Sequence, residues 1–172
     1  MLIYMNKYMD RRRTTTMKTT LKKLAAIVLV SATVLSLAAC SKGGSAKKVS
    51  KEDFVAKIEK EGFQTMDAGA SEETDTKENV IAFSEEGLMV SYSIHNSKEG
   101  AKKQFDEMKE SAEASKKSGE IEKLSTSSSK ITASSAEQYL VVVYADDMTI
   151  AAMGTPDNSS KVDSVLKAIG VL

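Results

Sequence analysis

The sequence predicts an α+β domain, an antiparallel β-sheet with helices packed on one face. Three observations predict it. Segments of helical spacing stand before, between and after groups of segments with strand spacing; neighbouring strands are joined by connections short enough for hairpins; and the order is helix, strands, helix, strands, helix, which is not the one-for-one alternation of a parallel sheet. Residues 63–117 and 120–170 each run strands and then helix, which makes them candidates for two related units, although their direct identity is low.

A first helix is expected over 50–61. Ser50 can cap the free amides, Asp53 stands at the third helical position of a capping box, and Phe54, Val55 and Ile58 fall on one face before Gly62 stops the helix. Residues 63–66 suit a short strand, and 67–77, dense in acids, Gly and Ser, suit a loop. Strands over 80–84 and 88–95 are joined by Glu85-Glu86-Gly87. In the second, Leu88, Val90, Tyr92 and Ile94 alternate with Met89, Ser91, Ser93 and His95, as in a sheet covered on one side. Ser97 opens a helix with the stripe Ala101, Phe105, Met108 and Ala112, ending near Ser118-Gly119. Residues 120–136 are rich in Ser and Thr and read as a hairpin or a mobile loop. The apolar run 139–145 predicts a central strand buried on both sides, turning at Asp146-Asp147 into a strand over 148–153. Pro156, Asp157 and Asn158 start a last helix bearing Val162, Val165, Leu166 and Ile169, with Gly170 ending it.

Ahead of this domain the chain reads as an address. Its 172 residues hold 24 Lys and Arg, 24 Asp and Glu, one His and one Cys. The first 39 carry seven of the cations and one anion, so 40–172 has 17 cations against 23 anions, a net charge of −6. That surplus excludes an electrostatic grip on nucleic acid by the domain. One Cys and one His exclude an internal disulfide and argue against a multi-ligand zinc site. Lys18, Lys22 and Lys23 precede an uncharged apolar run over 24–39, which at 16 residues is short for a membrane-crossing helix of about 20. A basic region, an apolar region and small residues make an export signal over 1–39. The cluster Arg11, Arg12, Arg13 lies unusually far upstream, so translation is expected to begin at Met17, leaving 1–16 untranslated.

The run ends Leu37-Ala38-Ala39-Cys40, which resembles the lipobox of bacterial lipoproteins. That resemblance implies a diacylglyceryl group on the Cys40 sulfur, with Leu37, Ala38 and Ala39 as recognition residues for cleavage before Cys40, and membrane attachment on the extracytoplasmic side. Two acyl chains at about 0.8 kcal/mol per buried methylene hold firmly where one binds marginally. Residues 40–49, rich in Gly, Ser and Lys, form a flexible tether to a single domain over 50–172. From Ser50 onward 14 cations face 23 anions, a net charge of −9, so anionic headgroups attract the tether lysines and repel the domain, unless the lysines are simply those of a solvated linker. The segments Glu52-Asp53-Phe54, Glu61-Gly62-Phe63, the strands around Phe83 and Tyr92, the helix 101–105 and the closing Leu166-Lys167-Ala168-Ile169-Gly170 resemble small surface lipoproteins of Gram-positive bacteria. The resemblance implies no activity.

No constellation of catalytic or cofactor-binding residues stands out, so neither enzymatic activity nor a cofactor or metal is expected. His95 reads as a ligand or base, or more simply as a partly exposed strand-end residue. Asp146 and Asp147 suit a turn better than a hard-cation site, and the clusters Glu72, Glu73, Asp75 and Glu85, Glu86 suit solvated surface. Tyr92, Tyr139 and Tyr144 suit sheet-face packing better than a groove, and the methionines beyond Met17 suit gap-filling. The expected function is a non-enzymatic binding or scaffold module on the cell membrane, meeting an envelope protein or the cell wall. The alternatives are a small-ligand or ion-binding accessory of a membrane transporter, and a hydrolase with an unrecognised site.

Overall fold

The computed structural model describes residues 46–172; Cys40, its recognition residues Leu37, Ala38 and Ala39, and the export signal over 1–39 lie outside them. The Ser50 hydroxyl accepts from the Asp53 amide at 3.1 Å and starts α1, Lys51–Lys60. A meander follows, β1 (Gln64–Asp67), β2 (Thr76–Phe83) and β3 (Met89–His95). The Ser97 hydroxyl accepts from the Gly100 amide at 2.9 Å and starts α2, Lys98–Ser118, which Gly119 closes in the left-handed conformation at φ 84. Residues 120–136 form a hairpin, β4 (Lys123–Thr126) and β5 (Lys130–Ser134), leading to β6 (Tyr139–Ala145) and β7 (Met148–Gly154). A 3-10 turn, Pro156–Asn158, feeds α3, Ser159–Ala168.

The strands form one seven-stranded sheet in the order β1-β2-β3-β7-β6-β5-β4, with every neighbour antiparallel. The α+β class and antiparallel sheet are those the sequence predicts. The expected packing of all helices on one face is corrected. Val80, Ala82, Val90, Tyr92, Val141, Val143, Ile150 and Ala152 share one face with Phe54 and Ile58 of α1 and Val162, Val165 and Leu166 of α3. Ile131, Val142, Leu140 and Tyr144 point the other way and pack against Phe105, Met108 and Ala112 of α2. The result is three layers, with α1 and α3 on one face and α2 on the other. The reason lies in β6, whose consecutive apolar residues need cover on both sides, and the apolar stripe of α2 supplies the second cover.

The folded part begins before the expected boundary at Ser50. Val49 is buried in the α1–α3 core, its carbonyl accepts from the Tyr92 hydroxyl at 3.1 Å, and the Lys47 amide donates to the Val171 carbonyl at 3.2 Å. Ala46 packs against the same core. Among the described residues no helix is long and apolar enough to cross a membrane.

Candidate functional site

The helices are offset, so each face of the sheet keeps one area uncovered. Because side chains alternate along a strand, the register assigns every residue to a face. On the α2 face the pairing chain Gln64, Phe83, Met89, Met153 runs across β1, β2, β3 and β7, and beside it runs Met66, Ile81, Ser91, Ala151. The axis of α2 passes over β4, β6, β7 and β3, leaving β1 and β2 bare. Met66 is 53% exposed and Phe83 43%, with Ile81, Met89 and Met153 half-buried beside them. Phe83 and Met66 thus stand open on the same sheet face, on neighbouring strands and diagonal to one another. The methionines correct the gap-filling expectation: Met148 is core, whereas Met66, Met89 and Met153 belong to the uncovered area.

On the opposite face α1 and α3 leave β4 and β5 bare, and this area is hydroxylic. Ser125 pairs with Thr132 and Lys123 with Ser134 across the hairpin. With Tyr139, Pro156 and Ser159 they line an open groove of about 360 Å³. The Tyr139 hydroxyl donates to Asp163 of α3 at 3.2 Å, and burial, followed by the nearby Asp163 carboxylate, raises its pKa above the ordinary tyrosine value. Lys123 is the one cationic side chain in the lining.

The expected site residues do not converge. His95 is not partly exposed; its side chain is sealed from solvent. The Thr149 hydroxyl donates to Gln104 Oε1 at 3.1 Å, leaving its oxygen to accept from His95 Nε2 at 3.0 Å. Nδ1 lies beside the backbone of Thr74 and Asp75 without a hydrogen bond of good geometry. Burial holds the imidazole below its ordinary pKa, against the opposing pull of the Thr74 and Asp75 backbone and the Asp75 carboxylate. A neutral imidazole closed off this way ties β3 to β7 and α2 and has no open path to a substrate.

Asp146 and Asp147 turn β6 into β7, Asp146 at φ 56, and lysines occupy both carboxylates. Lys98 pairs with Asp146 at 2.8 Å; Lys48 pairs with Asp147 at 2.5 Å, with Lys77 at 3.9 Å behind it. Burial pushes the Asp147 carboxyl up and the Lys48 ammonium pulls it down further, so it lies below the ordinary carboxylate range. Asp75 sits by the first turn of α2, accepting from the Asn96 side chain at 2.8 Å, while Glu86 pairs with Lys161 at 2.5 Å near the other end of the sheet. Among the described residues no group of three His, Cys, Asp or Glu could hold a metal ion.

The tyrosines separate as well. Tyr92 stacks on Phe54 at 4.8 Å in the core, and burial, then the Glu78 and Asp147 carboxylates, raise its pKa well above the ordinary value. Tyr144 stacks on Phe105 at 5.5 Å under α2, and Tyr139 borders the groove. Comparison of the chain with protein-family models and with curated proteins finds no match.

Proposed function

We propose that this protein is a lipid-anchored binding module on the extracytoplasmic side of the cell membrane, tethered through a diacylglyceryl group on Cys40, and that a protein partner seats an apolar segment on Met66, Ile81, Phe83 and Met89. The observation that carries the docking half is the exposure of Phe83 and Met66 together on a sheet face that α2 leaves bare. The anchoring half rests on Leu37-Ala38-Ala39-Cys40 behind a basic and apolar leader. Acid–base catalysis finds no support in the closed His95 or the singly charged groove.

The charge balance argues for a partner other than a second copy. From Ser50 onward the domain carries a net −9, so two copies brought face to face repel, whereas a partner with cations flanking its apolar segment is attracted. The alternative reading, a small-ligand or ion-binding accessory of a transporter, draws its support from the hydroxylic groove; its openness limits how much of a ligand it could bury.

The test has two arms. Cys40→Ala should abolish incorporation of labelled fatty acid and move the protein out of the membrane fraction; retention there would overturn the anchoring half. A photocrosslinking residue at position 89 should give a discrete adduct on living cells, absent when it is placed instead at exposed Lys102 of α2. Adding Met66→Ser and Phe83→Ser should remove that adduct without lowering the melting temperature, and an adduct indifferent to those changes would overturn the docking half.

A further inference from the structure

The anchoring reading leaves open which part of the domain meets the bilayer, and the clamp on residues 46–49 decides it. Lys47 is bonded to Val171, Lys48 is paired with Asp147, and Val49 is buried beneath the Tyr92 hydroxyl. Only Ser41, Lys42, Gly43, Gly44 and Ser45 separate Cys40 from the clamped chain. Those six steps span at most about 22 Å.

The chain enters at one end of the sheet. Lys48 meets the β6–β7 turn, whose Asp147 carbonyl accepts from the His95 amide at 2.8 Å at the end of β3. The β4–β5 turn is at the same end, since Ser129 accepts from the Tyr144 amide. Phe83 and Met89 lie at the opposite end, because β3 runs seven residues from Met89 to His95, roughly 20 Å of strand.

We infer that the domain stands on the bilayer by its β6–β7 and β4–β5 turns, with the strands directed away from the bilayer and the Phe83–Met89 end of the apolar area presented outward. This rests on lipidation of Cys40. A longer tether would let the domain tumble, whereas one that stops at Ala46 keeps the entry end within about 22 Å of the lipid.

The experiment uses the full lipidated protein in vesicles of phosphatidylethanolamine and phosphatidylglycerol with a fluorescence acceptor on the headgroups. A single thiol dye is placed at Ser128→Cys, in the entry-end turn, or at Glu137→Cys, in a far-end turn; lipidated Cys40 has no free thiol to label. One strand length of separation should give the position-128 dye about twofold greater energy transfer than the position-137 dye. Inserting twenty Gly and Ser residues between Ser45 and Ala46 should erase the difference. Protein that floats with the vesicles yet transfers equally from both positions overturns the orientation alone. Protein that fails to float, with Cys40 open to the dye, overturns the anchoring reading and the orientation with it.

Discussion

His95 shows how far a single residue's setting can depart from its place in the chain. At the end of a strand, followed by Asn96 and Ser97, it reads as half-exposed, but the loop through Thr74 and Asp75 folds over it and the bonds to Thr149 and Gln104 close it in. Loop cover of this kind has no local sequence signal, so the burial was illegible. Its consequence is a pH dependence. Burial lowers the folded-state pKa, so the unfolded chain binds the proton more readily once pH falls below about 6.5. The stability tied to neutral His95 is complete above that value and declines as pH drops toward the folded pKa, by at most about 1.4 kcal/mol per pH unit. Urea unfolding at pH 7.5 and 5.5 should show a loss in the wild type that His95→Gln reduces; an equal loss in both would remove the imidazole as its source. Gly100 makes a second residue-scale case. Gly to Ala inside a helix ordinarily stabilises by about 1 kcal/mol, but a Cβ here would collide with the Asp75 carboxylate that Asn96 holds in place. Gly100→Ala should therefore destabilise by about 1 kcal/mol, and in an Asp75→Ala background the same change should stabilise. Thermal unfolding of the four proteins in that cycle decides it.

Among the elements, α1, α2 and the β6–β7 pair were legible because each carries a strong local signal: a Ser cap, a stripe of helical spacing, or a β-branched run broken at Asp146-Asp147. The side of the sheet that α2 occupies is a different matter. Its stripe is apolar whichever face it meets, and only the two-sided burial expected for β6 bore on the choice, since a strand buried on both sides is incompatible with helices on one face. The uncovered areas were partly legible too. Alternation in β3 between apolar and semi-polar positions matches its one covered and one bare face, but Met66, Ile81 and Phe83 reach that bare face only through strand pairing. The placement of α2 has a test of its own. Phe105 is the largest buried side chain of α2 and stacks on Tyr144, so Phe105→Ala should cost about 3 to 5 kcal/mol. Amide exchange should speed first in β4, β5 and α2, where the α2-face core lies, with the core formed by α1 and α3 less affected. Uniform acceleration across the sheet would mean that the two faces unfold as one unit.

For the molecule as a whole, what matters is how residues 46–49 are held against the rest of the domain. The clamp is built from weak parts. Lys48 is 43% exposed and Asp147 18%, a setting in which an ion pair is worth about 1 kcal/mol at most. Val49 adds burial and the Tyr92 hydroxyl adds one hydrogen bond. Local opening of residues 46–49 should thus be less costly than global unfolding, and it is visible to a protease, because trypsin cuts after Lys47 or Lys48 when that segment leaves its contacts with Val171, Asp147 and Tyr92. Asp147→Ala should raise the cleavage rate there about fivefold, the factor that corresponds to roughly 1 kcal/mol, with little change at lysines of the α2 surface. The depressed pKa of Asp147 sets the pH window. Its folded value lies below 3.8, so the pair contributes fully above that point and weakens only as pH falls through the folded value. Wild-type cleavage after Lys47 and Lys48, corrected for the protease's own pH profile, should therefore be level between pH 6 and pH 8. A clamp that loosened across that range would have to draw on some group other than Asp147. Mass spectrometry of the products, timed against cleavage at α2, separates opening of residues 46–49 from unfolding of the domain.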